Sequence, residues 1–276
     1  MTERKAFVVG WPIAHSRSPL IHRFWLKQHG IAGDYLPEAV PPDAIDAFFR
    51  SFSEKGYVGG NVTLPHKEAA FKACSVTTPV ARRLEAANTL WLEGGHLNGD
   101  NTDVYGFVAN LDERAPDWRL GSAALVIGAG GASRAVLEAL IGAGYQSIAL
   151  ANRTLPRAEA LARHFGGPVS AFGLGALEGL VRAADLIVNA TSAGLHDEAS
   201  LDVPWQMAKR SAIVTDLVYV PLVTPFLHAA SDSGLKIVDG LGMLLHQAIP
   251  GFERWFGVRP RVDAALRDHI LADLKR

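Results

Sequence analysis

The sequence predicts an α/β protein of two domains. Three observations carry that expectation. Apolar, β-branched runs alternate with helical patterns along the 276 residues, which implies mostly parallel strands joined by crossover helices. A strand, a glycine cluster and a helix start follow one another in AALVIGAGGASR, Ala123 to Arg134. That stretch begins only after a full domain's length of chain, and two domains of roughly 100–200 residues fit the total.

Ala6 to Gly10 reads as the first strand, ended by Trp11-Pro12. Ile13 to Pro19 is a polar turn. A helix from about Leu20 to Gln28 follows, with Ser18 as its cap and Pro19 in its first turn. Asp34 to Ala39 is a second strand. Pro41-Pro42-Asp43 opens a helix to about Lys55, with Ile45, Phe48, Phe49 and Phe52 on one face. Tyr57 to Val62 is a third strand, and Pro65 suits the start of the next helix. Leu90-Trp91-Leu92 and His96-Leu97 flank Glu93-Gly94-Gly95 as a hairpin, which predicts one antiparallel edge. Asp103 opens a helix over Val104 to Leu111.

In the second half, Ala124 to Ile127 is a buried strand, and a helix runs from about Ala132 to Ala143. Ser147 to Leu150, Leu186 to Val188, Ala212 to Asp216 and Lys236 to Val238 are strands. Leu186 to Val188 leads into Asn189-Ala190-Thr191-Ser192-Ala193-Gly194. Met243 to Trp255 and Arg261 to Leu274 read as two closing helices, separated at Gly257-Val258 and Pro260. A nucleotide-binding βα unit does not need them, so they are expected to return to the first domain.

Composition narrows the functional classes. Apolar residues make up 49% and charged residues 20%, and the formal net charge is −1, so no basic footprint points to nucleic acid. The single cysteine, Cys74, excludes an intrachain disulfide and a cysteine metal cluster, and suits a reducing cytoplasm. The apolar run in MTERKAFVVGWP is too short for a signal-peptide core. No uninterrupted apolar run approaches the roughly 18 residues of a membrane span.

The glycine stretch is the strongest chemical signal. Gly128 allows a tight turn. Gly130 leaves no Cβ between the backbone and a pyrophosphate, which can sit on free N–H groups at the helix N-terminus. The third fingerprint position is Ser133 rather than glycine, and a tight βα turn without a ligand is the plainer alternative. At the end of the next strand, where an NAD site places an acid, no Asp or Glu occurs from Gln146 through Ala158. Asn152, Arg153, Thr154 and Arg157 stand there instead. Two guanidiniums and a hydroxyl suit a 2′-phosphate, which favours NADP over NAD. The alternative is two arginines exposed at a strand end and a helix start.

Three polar clusters of the first half lie where strands end: Ser16 with Ser18, Asn61 with Thr63 and Lys67, and Asn101-Thr102-Asp103. Ligands of open α/β sheets bind outside those ends. Each cluster also has a structural explanation. The serines cap a helix, Lys67 is a solvated charge, and Asp103 is an N-cap. Lys67 sits at the helix end that its charge disfavours, as expected of a lysine kept for a ligand.

Taken together, five motifs resemble one family, the shikimate dehydrogenases, over almost the whole chain. They are Gly10 to Pro19 (GWPIAHSRSP) with His22, Asn61 to Lys67 (NVTLPHK), Ala87-Asn88-Thr89 with Asn101-Thr102-Asp103, the glycine turn with Asn152-Arg153-Thr154, and Asp239 to Gln247 (DGLGMLLHQ). The resemblance implies reversible reduction of 3-dehydroshikimate to shikimate with NADPH, in aromatic amino acid biosynthesis. It assigns Lys67 and Asp103 to the catalytic pair. Ser16, Ser18 and Tyr219 fall on the substrate carboxylate, and Asn61, Thr63, Asn88, Asp103 and Gln247 on the ring hydroxyls. Gly128, Ala129, Gly130, Gly131, Ala132, Asn152, Arg153, Thr154, Arg157 and Thr191 fall on the cofactor, with Gly240 and Met243 near the nicotinamide. Arg23 and Phe256 depart from the common family pattern.

The expected division is residues 1–103 with 240–276 for substrate and 104–239 as the Rossmann-type NADP domain, with the active site in the cleft between them. No metal is expected, because the histidines show no ligand spacing. A small-molecule substrate, a cytoplasmic location and a monomer or homodimer complete the expectation. The alternatives are a quinate/shikimate dehydrogenase using NAD and a non-catalytic shikimate-binding regulatory module.

Overall fold

A computed structural model describes residues 4–191 and 201–274. The chain forms two compact units, Met1–Asp103 with Leu245–Arg276, and Val104–Leu244. The second crossing therefore falls at 244/245 rather than at 240, and Gly240 and Met243 belong to the second unit. Of the run Asn189 to Gly194, Ser192, Ala193 and Gly194 lie outside the described residues.

The first unit begins with β1 (Arg4–Gly10), α1 (Ser18–Gln28), β2 (Gly33–Ala39), α2 (Ile45–Ser51), β3 (Tyr57–Val62) and α3 (Lys67–Ala73). β4 (Val76–Thr77), α4 (Pro79–Leu84), β5 (Thr89–Glu93) and β6 (His96–Asp100) follow. The sheet order is β2-β1-β3-β5-β6-β4. β1 pairs in parallel with β2 and β3, and β4 pairs in parallel with β6. The hairpin is present, with Gly94 and Gly95 both at positive φ in its two-residue turn, as a right-twisted ribbon requires. Its antiparallel strand is not an edge, however. β5 lies inside the sheet between β3 and β6, and the unforeseen two-residue β4 forms the edge.

Three local expectations change. Ser18 does not cap α1, because Arg17 occupies the cap position and no side-chain cap bond forms. Pro65 does not start α3 either. His66 is the cap and Lys67 the first helical residue. The anticipated helix to Lys55 is α2 followed by a 3-10 turn, Phe52–Lys55.

The phenylalanine face works as anticipated. Phe7 of β1 meets Phe48, Phe52 and Tyr57 edge-on at 5.0, 5.2 and 5.2 Å between ring centroids, an arrangement aromatic quadrupoles favour.

The second unit contains α5 (Asp103–Arg114), whose first residue belongs to the first unit, then β7 (Ala123–Ile127), α6 (Gly131–Gly142), β8 (Ser147–Asn152), α7 (Leu155–Phe165) and β9 (Val169–Gly173). It continues with α8 (Leu177–Ala183), β10 (Leu186–Asn189), β11 (Ile213–Asp216), α9 (Pro225–Asp232), β12 (Lys236–Val238) and α10 (Leu241–Gln247), whose residues from Leu245 on belong to the first unit. Its strand order is β12-β11-β10-β7-β8-β9, and every pairing is parallel. The order reverses direction at β7, the switch point at which doubly wound sheets bind nucleotides.

α11 (Ile249–Phe256) and α12 (Ala264–Leu274) return to the first unit. The single helix anticipated from Met243 to Trp255 is two, α10 and α11, broken at Ala248. Pro250, in the first turn of α11, lacks the N–H that an unbroken helix would use. Trp255 of α11 lies against the sheet. Its Nε1 donates to Leu90 O at 2.9 Å, and a Cβ on Gly59 would lie 2.4 Å from that nitrogen. Glycine in β3 is therefore what lets α11 approach the strands.

Candidate active site

Lys67 and Asp103 meet although 36 residues separate them. Lys67 Nζ donates to Asp103 Oδ2 at 2.6 Å, with both side chains half-buried. The other carboxylate oxygen, Oδ1, accepts from Asn88 Nδ2 at 2.8 Å. Asp103 is therefore not the plain N-cap. Asn101 Oδ1 instead accepts from the Asp103 N–H at 3.1 Å. Lys67 O accepts from Ala87 N at 2.9 Å, so the lysine backbone is pinned beside Asn88.

Asn88 is held tightly. Its Oδ1 accepts from Thr102 N at 2.8 Å, Thr89 Oγ1 at 2.9 Å and Thr102 Oγ1 at 3.1 Å. One amide hydrogen serves Asp103, and the other has no partner among the described residues. Asn61 Nδ2 donates to Asn88 O at 3.0 Å and Thr89 Oγ1 at 3.1 Å, and its Oδ1 accepts from Tyr35 OH at 2.6 Å. Both amide hydrogens of Asn61 are thus spent inside the protein, and a spare Oδ1 lone pair is what it has left to offer.

Ser16 Oγ accepts from Ser18 N at 3.4 Å, which leaves its hydroxyl hydrogen available. Ser18 is buried, with its hydroxyl beside the Tyr35 phenol. Thr63 is half-buried one residue beyond β3, and its N–H donates to Val9 O at 2.9 Å. Gln247 is buried at the end of α10. Tyr219 is half-buried in the second unit, beyond β11. Described contacts thus join Lys67, Asp103, Asn88, Asn61 and Ser18 into one network. They do not join Thr63 to it.

Sequence reasoning missed Tyr35, Thr89 and Thr102 as members. Thr89 and Thr102 stood within noted motifs. Tyr35 carried no signal beyond membership of a strand. His22 is fully buried, and its ring stacks on Tyr35 at 4.0 Å with 12° between planes. Both its nitrogens lack hydrogen bonds among the described residues. Burial pushes its pKa down to about 3, although Asn61 lies near enough to oppose the shift.

The second unit fits a dinucleotide. Gly128 has φ +108°, and a Cβ there would lie 2.7 Å from Thr191 Cγ2 and 2.9 Å from Ala190 C, so only glycine closes the turn. Around Gly130 and Gly131 an added Cβ meets nothing within 4 Å. No side chain caps α6 at Gly130, and a helix N-terminus with open space before it is an anion site. Ser133, fully buried, turns its hydroxyl back onto Gly130 O. Asn152 Oδ1 accepts from Ala129 N at 3.1 Å, and its Nδ2 donates to Thr154 O at 2.8 Å. Asn152 therefore shapes the turn from within.

Arg153, Thr154 and Arg157 are exposed at the end of β8 and the start of α7. Neither arginine forms an ion pair among the described residues. Thr191 packs against Gly128, and its hydroxyl donates to Asn189 Oδ1 at 2.7 Å. A Cβ on Gly240 would lie 2.6 Å from Asp216 O, so that glycine permits close approach to the end of β11. Met243 is half-buried in α10.

A doubly wound parallel sheet with this turn, and a second α/β unit with a networked Lys–Asp pair, define an α/β oxidoreductase of the dinucleotide-binding class. Comparison with known proteins makes the family specific. Residues 8–90 match the shikimate dehydrogenase substrate binding domain, 113–239 the shikimate/quinate 5-dehydrogenase family, and 240–267 the shikimate 5′-dehydrogenase C-terminal domain. A shikimate dehydrogenase (NADP(+)) of Azorhizobium caulinodans is 56% identical over 272 residues, covering 98% of this chain and 97% of that protein. Shikimate 5-dehydrogenase of Thermus thermophilus, solved with NADP(H) and shikimate, superposes with TM-score 0.86 at 38% identity, covering 99% and 100% of the two chains. Quinate dehydrogenase of Corynebacterium glutamicum with NAD superposes with TM-score 0.90 at 28% identity, covering 98% and 99%. The chain belongs to the shikimate dehydrogenase family.

Proposed function

We propose that this chain interconverts 3-dehydroshikimate and shikimate with NADP(H), within aromatic amino acid biosynthesis. The observation that carries the reading is the Lys67–Asp103 contact at 2.6 Å, with Asn88 on the free carboxylate oxygen. NADPH supplies the hydride when bound. Reduction of the ketone builds negative charge on its oxygen, and Lys67 meets that charge and delivers the proton. Asp103 orients the ammonium and accepts from a ring hydroxyl through a remaining lone pair. Asn88 donates its uncommitted amide hydrogen to the ring, with Thr63, Gln247 and the Asn61 oxygen as further ring ligands. Ser16, Ser18 and Tyr219 take the carboxylate.

Arg153, Thr154 and Arg157 grip the 2′-phosphate, and the Gly128 to Ala132 turn takes the pyrophosphate. Gly240 and Met243 lie near the nicotinamide, and Thr191 backs the turn. A cytoplasmic location accompanies this reading. The lone thiol of Cys74, which burial pushes up to about 12, suits a reducing compartment.

Initial-rate kinetics with shikimate and quinate, each with NADP and NAD, test the proposal. Shikimate with NADP is expected to give the highest kcat/KM. Preference for quinate with NAD would assign the chain to the other branch of the family, and no turnover of either ring would leave only a binding role.

A further inference from the structure

We infer that Tyr35 is a positioning residue for the reaction: its phenol sets the orientation of the Asn61 amide and, through Thr89 and Asn88, of the Asp103 carboxylate. The inference rests on Lys67 and Asp103 being the reacting pair, and adds a residue outside the family motifs recognised in the sequence.

The geometry is a directed chain of donors. Tyr35 of β2 and Asn61 of β3 flank β1, where Ala6 pairs with Tyr35 and Val8 with Asn61. Across that strand Tyr35 OH donates to Asn61 Oδ1 at 2.6 Å. With its oxygen so engaged, Asn61 turns Nδ2 to Asn88 O and to Thr89 Oγ1. Thr89 Oγ1 receives that hydrogen and donates its own to Asn88 Oδ1, which Thr102 N and Oγ1 also hold. Asn88 then faces Asp103 with its nitrogen, at 2.8 Å. Along this line the donors point one way, from Tyr35 toward the carboxylate that Lys67 meets, and Thr102 supports Asn88 from the side. Tyr35 and Thr89 are fully buried, and Asn88 and Asn61 nearly so. In such surroundings successive hydrogen bonds polarise one another, and an unpaired member is costly.

An asparagine amide is nearly symmetric in shape, so its orientation is fixed only by what its two ends meet. Without the phenol hydroxyl, Asn61 Oδ1 loses its donor and the chain loses its origin. The ring is held by the stack on His22 and by Trp255 at 5.9 Å, so the phenol has little freedom to point elsewhere. Burial also raises its pKa well above the ordinary value, which keeps it a donor.

Tyr35→Phe removes the hydroxyl and keeps the ring. With shikimate and NADP, kcat/KM is expected to fall roughly tenfold, the size of one lost hydrogen bond at about 1.4 kcal/mol, with KM for NADP unchanged. In an Asn88→Ala background the same substitution should have little further effect, because the chain is already cut. A purely structural role would give additive losses in the double variant, and that result overturns the inference. Side-chain amide NMR resonances supply a readout independent of turnover. Those of Asn88 should shift in Tyr35→Phe, and an unchanged Asn88 with a shifted Asn61 overturns the relay. Wild-type enzyme without shikimate activity would sink the functional reading, while the resonances would still decide the relay.

Discussion

Lys67 and Asp103 share a 2.6 Å contact, with Lys67 opening α3 and Asp103 opening α5. The sheet brings them together, since α3 follows the end of β3 and α5 follows the end of β6. A cation at the first position of a helix is disfavoured by the dipole, and Asp103 offsets that cost while aiming the ammonium.

Lys67→Ala should therefore act on chemistry more than on binding. The expected fall in kcat is about 10²–10⁴-fold, with KM for shikimate changed much less. Initial rates beside a thermal melt check it. Near-normal kcat in a folded variant would mean that another group handles the proton.

Cofactor choice should follow the guanidiniums at the end of β8. Arg153→Asp places an acid where a 2′-phosphate would sit. KM for NADP is expected to rise at least tenfold, about 1.4 kcal/mol or more of lost charge-assisted bonding, while KM for NAD changes little. Equal losses with both cofactors would remove Arg153 from the phosphate grip.

Acid should loosen the fold through His22. Its folded pKa is about 3 against an ordinary 6.5. Below pH 6.5 the unfolded chain takes up a proton that the folded one refuses, so stability falls as the pH drops. At pH 4.5, two units below the unfolded value, the loss is about 2–3 kcal/mol. Ordinary carboxylates titrate below most of this window. Asp216, whose carboxyl burial raises, works in the opposite sense. Urea unfolding of wild type and His22→Phe between pH 7 and 4.5 should show a shallower pH dependence in the variant. Equal slopes would move the acid sensitivity elsewhere.

How much of this was legible in the sequence depends on the range of the interaction. The β7–Gly128–α6 turn is local, and its strand, glycine and helix signals sit side by side. The bounds of β3 and the phenylalanine face of α2 also follow from short-range pattern. Tyr35 was invisible because its importance comes from the register of β2 and β3 on β1. The antiparallel strand was found but misplaced, since a hairpin signal says how two strands pair and not which other strand joins them. The α10–α11 break was missed where Pro250 opens a new helix within an otherwise continuous apolar pattern.

The glycines of the turn offer a test that separates fold from ligand. Gly128 has φ +108°, and a Cβ would lie 2.9 Å from the Ala190 backbone. Gly128→Ala should destabilise the second unit by at least about 1–3 kcal/mol from the backbone strain alone. Gly130 has φ −95° and ψ −173°, extended backbone that alanine adopts freely, and an added Cβ meets nothing within 4 Å. Gly130→Ala should therefore leave stability unchanged, or raise it by about 0.4–1 kcal/mol through the unfolded chain. The new methyl would instead occupy the space that a pyrophosphate needs at the N-terminus of α6. A rise of tenfold or more in KM for NADP, at an unaltered melting temperature, is the expected outcome. If Gly130→Ala binds NADP as wild type does, the open space before α6 is not the cofactor cradle, and the glycine turn serves the fold alone.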